Sequence, residues 1–170
     1  MFTRLFIGEK RINLTDVNST NAFMKQLLDN SKNEVEGLVV TTKNQSQGRG
    51  QQGNFWESEN GKNLTFSIFL KPNIPVQNQF SLSKVISLGI IDFLIDLGVL
   101  DVQIKWPNDI YIGNRKVAGI LIENVLKSNK VFCAVIGVGL NVNQFNFNSG
   151  NNPTSILNEL GTEQDLKVML

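Results

Sequence analysis

Residues 102–142 read VQIKWPNDIYIGNRKVAGILIENVLKSNKVFCAVIGVGLNV, and this stretch decides the fold. Its three apolar runs are Val102 to Trp106 continued by Ile110 to Ile112, Val117 to Leu126, and Val131 to Val142; only Gly113-Asn114 and Ser128-Asn129 separate them. Strand-forming runs joined by such short turns predict a β-meander. Immediately upstream, Leu82, Val85, Ile86, Ile90, Phe93, Leu94 and Leu97 follow helical spacing from Phe80 until Gly98, a residue suited to a left-handed helix end, and this predicts a central core helix. Further out, Leu64 to Leu70 begins with apolar–polar alternation and stops at Lys71-Pro72, as a strand does, and Gly37 to Thr42 is a second strand that runs into a long polar stretch, Lys43 to Asn63. Asn18-Ser19-Thr20 offers capping side chains ahead of Phe23, Leu27 and Leu28, predicting a helix over about 20 to 31. Leu5 to Ile7 and Ile12 to Leu14 are short and β-like, and the end of the chain is helical in pattern over Ser155 to Leu160 and Glu163 to Leu170, broken at Gly161. Mixed helix and strands followed by hairpins, with no internal repeat, argue one α+β layer domain over 1–170 and not repeated βαβ units.

Composition narrows the chemistry. The 170 residues are 41% apolar and 18% charged, enough to bury a core, and 16 Lys plus Arg against 15 Asp plus Glu leave a net charge of +1, which advertises no strongly polyanionic partner. The absence of histidine excludes an imidazole base, Ser-His-Asp or Cys-His machinery and a His-ligated metal. One cysteine, Cys133, excludes an internal disulfide and a thiolate zinc cluster, and it suits a reducing cytoplasm. Arg4, Glu9, Lys10 and Arg11 break any secretory pattern, and Lys84, Asp92 and Asp96 interrupt the most apolar stretch, so the 80–100 segment is expected as a buried helix with no membrane role.

Four segments hold residues suited to chemistry. The loop Gln45-Ser46-Gln47-Gly48-Arg49-Gly50-Gln51-Gln52-Gly53-Asn54-Phe55-Trp56 carries glycines whose amides can converge on an anion, a forked cation in Arg49, and an aromatic in Trp56 able to stack on a flat ring. It lacks the Gly-Lys-Ser/Thr ending of a Walker loop and does not open a helix as a dinucleotide fingerprint does; a surface linker is the competing reading. Lys105-Trp106-Pro107-Asn108-Asp109 interrupts a strand with a cation, an aromatic and two oxygen-bearing side chains, where a β-turn set by Pro107 is the plainer alternative. Lys116 then begins a strand in which Ala118 and Gly119 leave room for a ligand, unless Lys116 is a solvated hairpin cation. In Gly137-Val138-Gly139-Leu140-Asn141, glycines at alternate positions open one sheet face, either to a ligand or to a closely packed helix. Cys133, among apolar neighbours and without a base, reads as core.

Together, Ser19-Thr20-Asn21, the Gln45 to Trp56 loop, Lys105 to Asp109, Lys116 to Leu121 and Gly137 to Asn141 resemble the catalytic domain of biotin protein ligase, in that family's order and with its spacing between Asp109 and Lys116. The resemblance implies a mixed, mostly antiparallel sheet with helices packed on one face, like class II aminoacyl-tRNA synthetases. It implies two steps: the carboxylate of biotin attacks the α-phosphate of MgATP to give biotinyl-5′-AMP and pyrophosphate, and a lysine of a biotin carboxyl carrier protein, the acceptor of acetyl-CoA carboxylase, takes the biotinyl group. Neither nucleophilic attack by a carboxylate nor charge stabilisation by cations needs a histidine. By this resemblance Ser19, Thr20, Asn21 and Gln45 border the uncharged ureido end of biotin. Lys116 holds its carboxylate, while Arg49 and the amides of Gly48, Gly50 and Gln51 close over the phosphate. Trp56 covers the adenine, Asn108 and Asn141 line its pocket, and Gly119, Leu121, Gly137 and Gly139 form the floor beneath the ligand. Asp109 acts through magnesium or through the orientation of Lys116.

The chain departs from the family's usual loop, which carries further arginines where Gln51, Gln52 and Asn54 stand here, so reduced positive charge predicts slower adenylate formation or easier adenylate escape. With no helix-turn-helix segment read ahead of the catalytic motifs, DNA binding is not expected, and because the sequence stops at Leu170 without the small C-terminal β domain common in the family, either a fragment or a protein that does without that domain is expected. Dimer formation through sheet edges occurs among relatives and is left open by this chain. Two rivals remain: a lipoate ligase or octanoyl transferase of the same fold, whose nucleophilic cysteine or arginine-rich loop is not matched here, and a non-catalytic biotin or adenylate sensor.

Overall fold

The protein is described by a computed structural model covering residues 7–30, 35–148, 150 and 152–170, with Gln52 described by its backbone alone. The strands are β1 (Arg11–Val17), β2 (Val39–Gln45), β3 (Leu64–Leu70), β4 (Ile74–Pro75), β5 (Val102–Lys105), β6 (Asp109–Ile112), β7 (Arg115–Lys127) and β8 (Lys130–Leu140). The helices are α1 (Thr20–Asn30), α2 (Phe80–Asp96), α3 (Ile156–Leu160) and α4 (Leu166–Met169). Leu5 and Phe6 of the first expected β-like run, and residue 31 of the first expected helix, lie outside the described residues. The expected terminal helix over 163–170 is confined to α4.

One sheet runs in the order β1-β2-β3-β8-β7-β6-β5, with β4 beside the start of β8. Only β1 and β2 are parallel among the described pairs; α1 supplies the crossover that a parallel pair requires. The meander β5 to β8 follows the predicted turns. At the β7–β8 turn Ser128 and Asn129 both have positive φ, 49° and 60°, the backbone of a mirror-image turn that matches strand twist. Helix α2 ends as its sequence predicts, Gly98 taking φ 87° and donating its N–H to the Ile95 carbonyl at 2.8 Å.

The helices divide between the two faces, which corrects the expectation of one helical face. Strand alternation sends Leu64, Ile68, Ile136, Val138 and Leu140 to the side covered by α2 and α3, where Ile86, Ile90, Leu94 and Ile156 pack on them. It sends Val40, Phe69, Cys133 and Val135 to the opposite side, where Met24, Phe23 and Leu28 of α1 cover them. Complete burial of side chains such as Met24 and Phe69 contributes about 1.5–3 kcal/mol each. Helix α2 is buried on one side only: Val85, Leu88 and Ile95 are exposed, because its apolar residues continue around the helix beyond the stripe the sheet can cover. The segment Val76–Asp96 is long and apolar enough to cross a membrane by length and composition, but one side of it lies on the sheet.

Candidate functional site

On the α1 side, at the first turn of that helix, glycines set the level of the sheet. Gly139 of β8 pairs with Thr65 of β3 and Gly119 of β7, and Gly137 pairs with Ser67 and Leu121. The glycines keep this floor low, and the structure shows what uses the space. A Cβ on Gly137 would stand 2.5 Å from Asn21 Oδ1, and one on Gly139 would stand 2.5 Å from Trp56 Nε1 and 2.6 Å from Trp56 Cζ2. The face opened by alternate glycines therefore receives the first turn of α1 and the indole ending the glycine-rich loop. Above it lies a cavity of about 660 Å³, whose walls come from both of those segments, from the Lys105–Asp109 turn and from β7.

A β-bulge builds the charged centre. Asp109 pairs with Gly119 and Ile110 with Ala118, but Tyr111 pairs with Lys116, so Val117 is the extra residue. In a regular strand Lys116 and Gly119, three apart, would point to opposite faces. The bulge turns Val117 into the core and brings Lys116 to the cavity side, where an added Gly119 Cβ would lie 3.4 Å from Lys116 Cε. The Lys116 backbone is clamped by the loop before α3, donating to the Asn152 carbonyl at 2.9 Å and accepting from Thr154 N–H at 2.8 Å. Its ammonium stands 2.8 Å from Asp109 Oδ1 and 5.7 Å from the centre of the Trp56 ring. Asp109 thus fixes the lysine, and the indole face lies beside its charge.

At one end of the cavity the polar groups are uncharged. Thr20 N–H donates to Gln45 Oε1 at 2.9 Å, Ser19 Oγ accepts from Ala22 N–H at 3.4 Å, and Asn21 Nδ2 reaches the Leu121 carbonyl at 3.3 Å. Behind them Glu123 accepts from Asn21 Nδ2 and from Lys25 Nζ, each at 2.9 Å. Burial pulls the Glu123 carboxyl upward, but the hydrogen bonds from Lys25 and Asn21, with the charges of Lys25 and Arg49, outweigh it and leave the group below its usual value.

The glycine-rich loop folds back on itself as a narrow hairpin. Arg49 pairs with Phe55, Gly50 N–H donates to the Asn54 carbonyl at 2.7 Å, and Trp56 N–H to the Gly48 carbonyl at 3.0 Å. Arg49, Gly50 and Gln51 line the cavity, and Arg49 is exposed. The Trp56 indole N–H is buried and donates to no described residue.

Most of the residues singled out in the sequence meet at this cavity: Ser19, Thr20, Asn21, Gln45, Trp56, Asn108, Asp109, Lys116, Gly119, Leu121, Gly137 and Gly139 line it with the three loop residues. Two do not. Gly48 lies behind the wall, packed against the Trp56 carbonyl and Gln45 Nε2, and Asn141 faces away, donating to the Thr154 carbonyl at 2.9 Å to hold the loop that clamps Lys116. Asp109 does not sit in a metal cage: among the described residues no group of three metal-ligating side chains converges, and its carboxylate faces an ammonium. These residues do not fit a resident magnesium ion, so any magnesium would arrive on the phosphates of ATP as part of the substrate. Cys133 is buried under α1 and is not part of the cavity wall. No motif pointed to Tyr111, Asn114 and Asn152, which line the cavity with Lys105, or to Ser67 and Glu123 behind the uncharged end. The signal available for the last two was a polar residue within the apolar runs 66–70 of β3 and 117–126 of β7.

Comparison with known proteins agrees with this arrangement. Residues 14–141 match the model of the biotin/lipoate A/B protein ligase family. The bifunctional ligase/repressor BirA of Bacillus subtilis is 33% identical over 138 residues, covering 81% of this chain and 42% of the relative. The biotin protein ligase of Aquifex aeolicus in complex with biotin and ATP superposes with a TM-score of 0.76 at 29% identity, covering 95% of this chain and 65% of that one. The biotin acetyl coenzyme A carboxylase synthetase of Helicobacter pylori with bound biotinylated ATP gives 0.63 at 30% identity, covering 78% and 60%. The chain thus spans less than two thirds of the length of these relatives. Family model, mixed sheet and cavity agree, and the chain belongs to the biotin/lipoate A/B protein ligase family, with the fold of the biotin protein ligases.

Proposed function

We propose that this chain joins biotin to ATP as biotinyl-5′-AMP and passes the biotinyl group to a lysine of a biotin carboxyl carrier protein in the cytoplasm. The observation that carries the reading is one continuous cavity with an uncharged hydrogen-bonding end at Thr20 and Gln45 and an ammonium, Lys116, held by Asp109 at its centre. Such a cavity suits a ligand with a neutral polar head and a carboxylate tail. Biotin has that form, and relatives in this family have been captured with biotin and ATP.

In this reading Lys116 meets the biotin carboxylate and offsets the repulsion between it and the α-phosphate. A carboxylate oxygen forms a bond to phosphorus and the bond to the β-phosphate bridging oxygen breaks, releasing pyrophosphate. No proton leaves the nucleophile, so a chain without histidine meets the requirement. Arg49 and the amide of Gln51 stand where a second set of donors can close over the phosphate, while the Gly50 N–H is held by the Asn54 carbonyl within the loop. The Trp56 ring supplies a surface for adenine. In the second step the acceptor amine bonds to the acyl carbon and AMP departs. A cysteine-based acyl transfer finds no support in a thiol buried away from the cavity. The test is biotin-dependent ATP–pyrophosphate exchange together with labelling of a carrier domain. Both are expected; absence of exchange with a folded, biotin-binding chain would leave the sensor reading in its place.

A further inference from the structure

Behind the uncharged end of the cavity runs a chain of side-chain contacts: Glu123 Oε2 to Asn21 Nδ2 at 2.9 Å, Asn21 Oδ1 to Ser67 Oγ at 2.6 Å, Ser67 Oγ to Thr20 Oγ1 at 2.8 Å. Asn21, Ser67 and Thr20 are all buried, Ser67 completely. We infer that Glu123, which does not itself line the cavity, is a positioning residue that sets the direction of every hydrogen bond in this relay and so makes the Thr20 hydroxyl an acceptor, selecting a ligand head that offers a ring N–H.

The direction follows from counting protons. A carboxylate only accepts, so the Asn21 amide must present its nitrogen to Glu123; its two hydrogens go to Glu123 and to the Leu121 carbonyl. Its oxygen is then turned to Ser67, and a 2.6 Å contact between two oxygens requires Ser67 to donate its one proton there. With that proton spent, the 2.8 Å contact with Thr20 requires the Thr20 hydroxyl to donate to Ser67. Thr20 therefore has no proton for a ligand. Its remaining near neighbour, Gln45 Oε1 at 3.3 Å, is also an acceptor and receives the Thr20 N–H, but no hydroxyl proton is left to give it. What Thr20 offers the cavity is a lone pair. The negative charge of Glu123 is secured by Lys25 on its outer side. Four residues in fixed register, on α1, β3 and β7, thereby convert a surface carboxylate into a buried demand for a donor.

The inference rests on the reading of this cavity as a biotin site, because the ureido ring of biotin supplies such an N–H and the dithiolane of lipoate or the alkyl end of octanoate does not. The test is calorimetric binding of biotin, lipoate and ATP to the whole chain, to Ser67→Ala and to the isosteric Glu123→Gln. Ser67→Ala returns the Thr20 proton, and biotin affinity should fall about tenfold while lipoate and ATP binding stay within about twofold. Glu123→Gln leaves only the longer contact to the Leu121 carbonyl to fix the amide direction and should fall between wild type and Ser67→Ala. A merely structural role would weaken all three ligands together, and that result overturns the inference, as does a biotin-to-lipoate ratio unchanged in whichever variant folds. If the unaltered chain binds no biotin, the reading of the site falls and the inference with it, whereas unchanged selectivity in a chain that does bind biotin removes the inference alone.

Discussion

Replacing Gly137 by alanine is the sharpest probe of how this floor is built. The added methyl would lie 2.5 Å from Asn21 Oδ1, 3.0 Å from Cγ and 3.2 Å from Nδ2, an overlap of about 1 Å with the oxygen. Asn21 has nowhere to go: Leu121, Glu123 and Ser67 hold it and it is 4% exposed. Overpacking of about 1–3 kcal/mol adds to the loss of two or so hydrogen bonds at about 1 kcal/mol each, a destabilisation of about 3–5 kcal/mol. For a domain of this size that lowers Tm by roughly 6–20 °C. Gly139→Ala is the control at the neighbouring floor position, where the indole edge lies equally close but its N–H is bonded to nothing described. There the indole can swing aside, so Tm should change by only a few degrees while the emission of Trp56, read in a Trp106→Phe background, moves to longer wavelength. Thermal denaturation of both variants decides the matter. If Gly137→Ala melts within about 3 °C of wild type, or no lower than Gly139→Ala, the account of Asn21 as an immovable part of the floor is wrong.

Lys116→Met should reduce ATP–pyrophosphate exchange at least about a hundredfold, since it removes the fixed charge at the cavity centre, while destabilising less than Gly137→Ala because the Asp109 pair is partly open to solvent; exchange at wild-type rate would rule out the assigned role. Arg49 is exposed, so Arg49→Ala should leave Tm unchanged yet increase the biotinyl-AMP trapped by hydroxylamine, and Gln51→Arg should decrease it; trapping that ignores both changes would contradict the loop's part in retention. The Glu123 carboxyl is held below its ordinary value of 4.5, so its stabilisation is complete above that pH and is lost as pH falls through the lower folded value. Glu123→Gln should therefore flatten that part of the acid unfolding curve, and an unaltered curve would show that the Lys25 and Asn21 contacts do not favour the ionised form.

Local pattern was enough for the elements and for much of the site. The turns Gly113-Asn114 and Ser128-Asn129 announce the meander, the 3.6-residue period from Leu82 announces α2 and Gly98 its end, because turn chemistry and periodicity act over a few residues. The glycine-rich loop, Lys116 and the paired glycines were legible for the same reason: each is unusual for its element. Which side of the sheet each helix covers was not legible, since one apolar stripe fits either face and only the order of strands chooses between them.

What the sequence by itself determined is the inventory: a chain without histidine that must work through cations and oriented amides, strands whose glycines leave a face open, and a single cysteine in an apolar run. Tertiary structure alone decided the geometry. The bulge at Val117 puts Lys116 on the same face as Gly119, although their spacing in a regular strand forbids it. Asn141, expected on the wall, turned outward to a loop carbonyl, and Ser67 and Glu123, ordinary polar residues in their strands, met through Asn21 from a helix about a hundred residues away from one of them. Register and long-range pairing depend on the whole sheet at once, and a single slipped residue reverses every side chain along a strand.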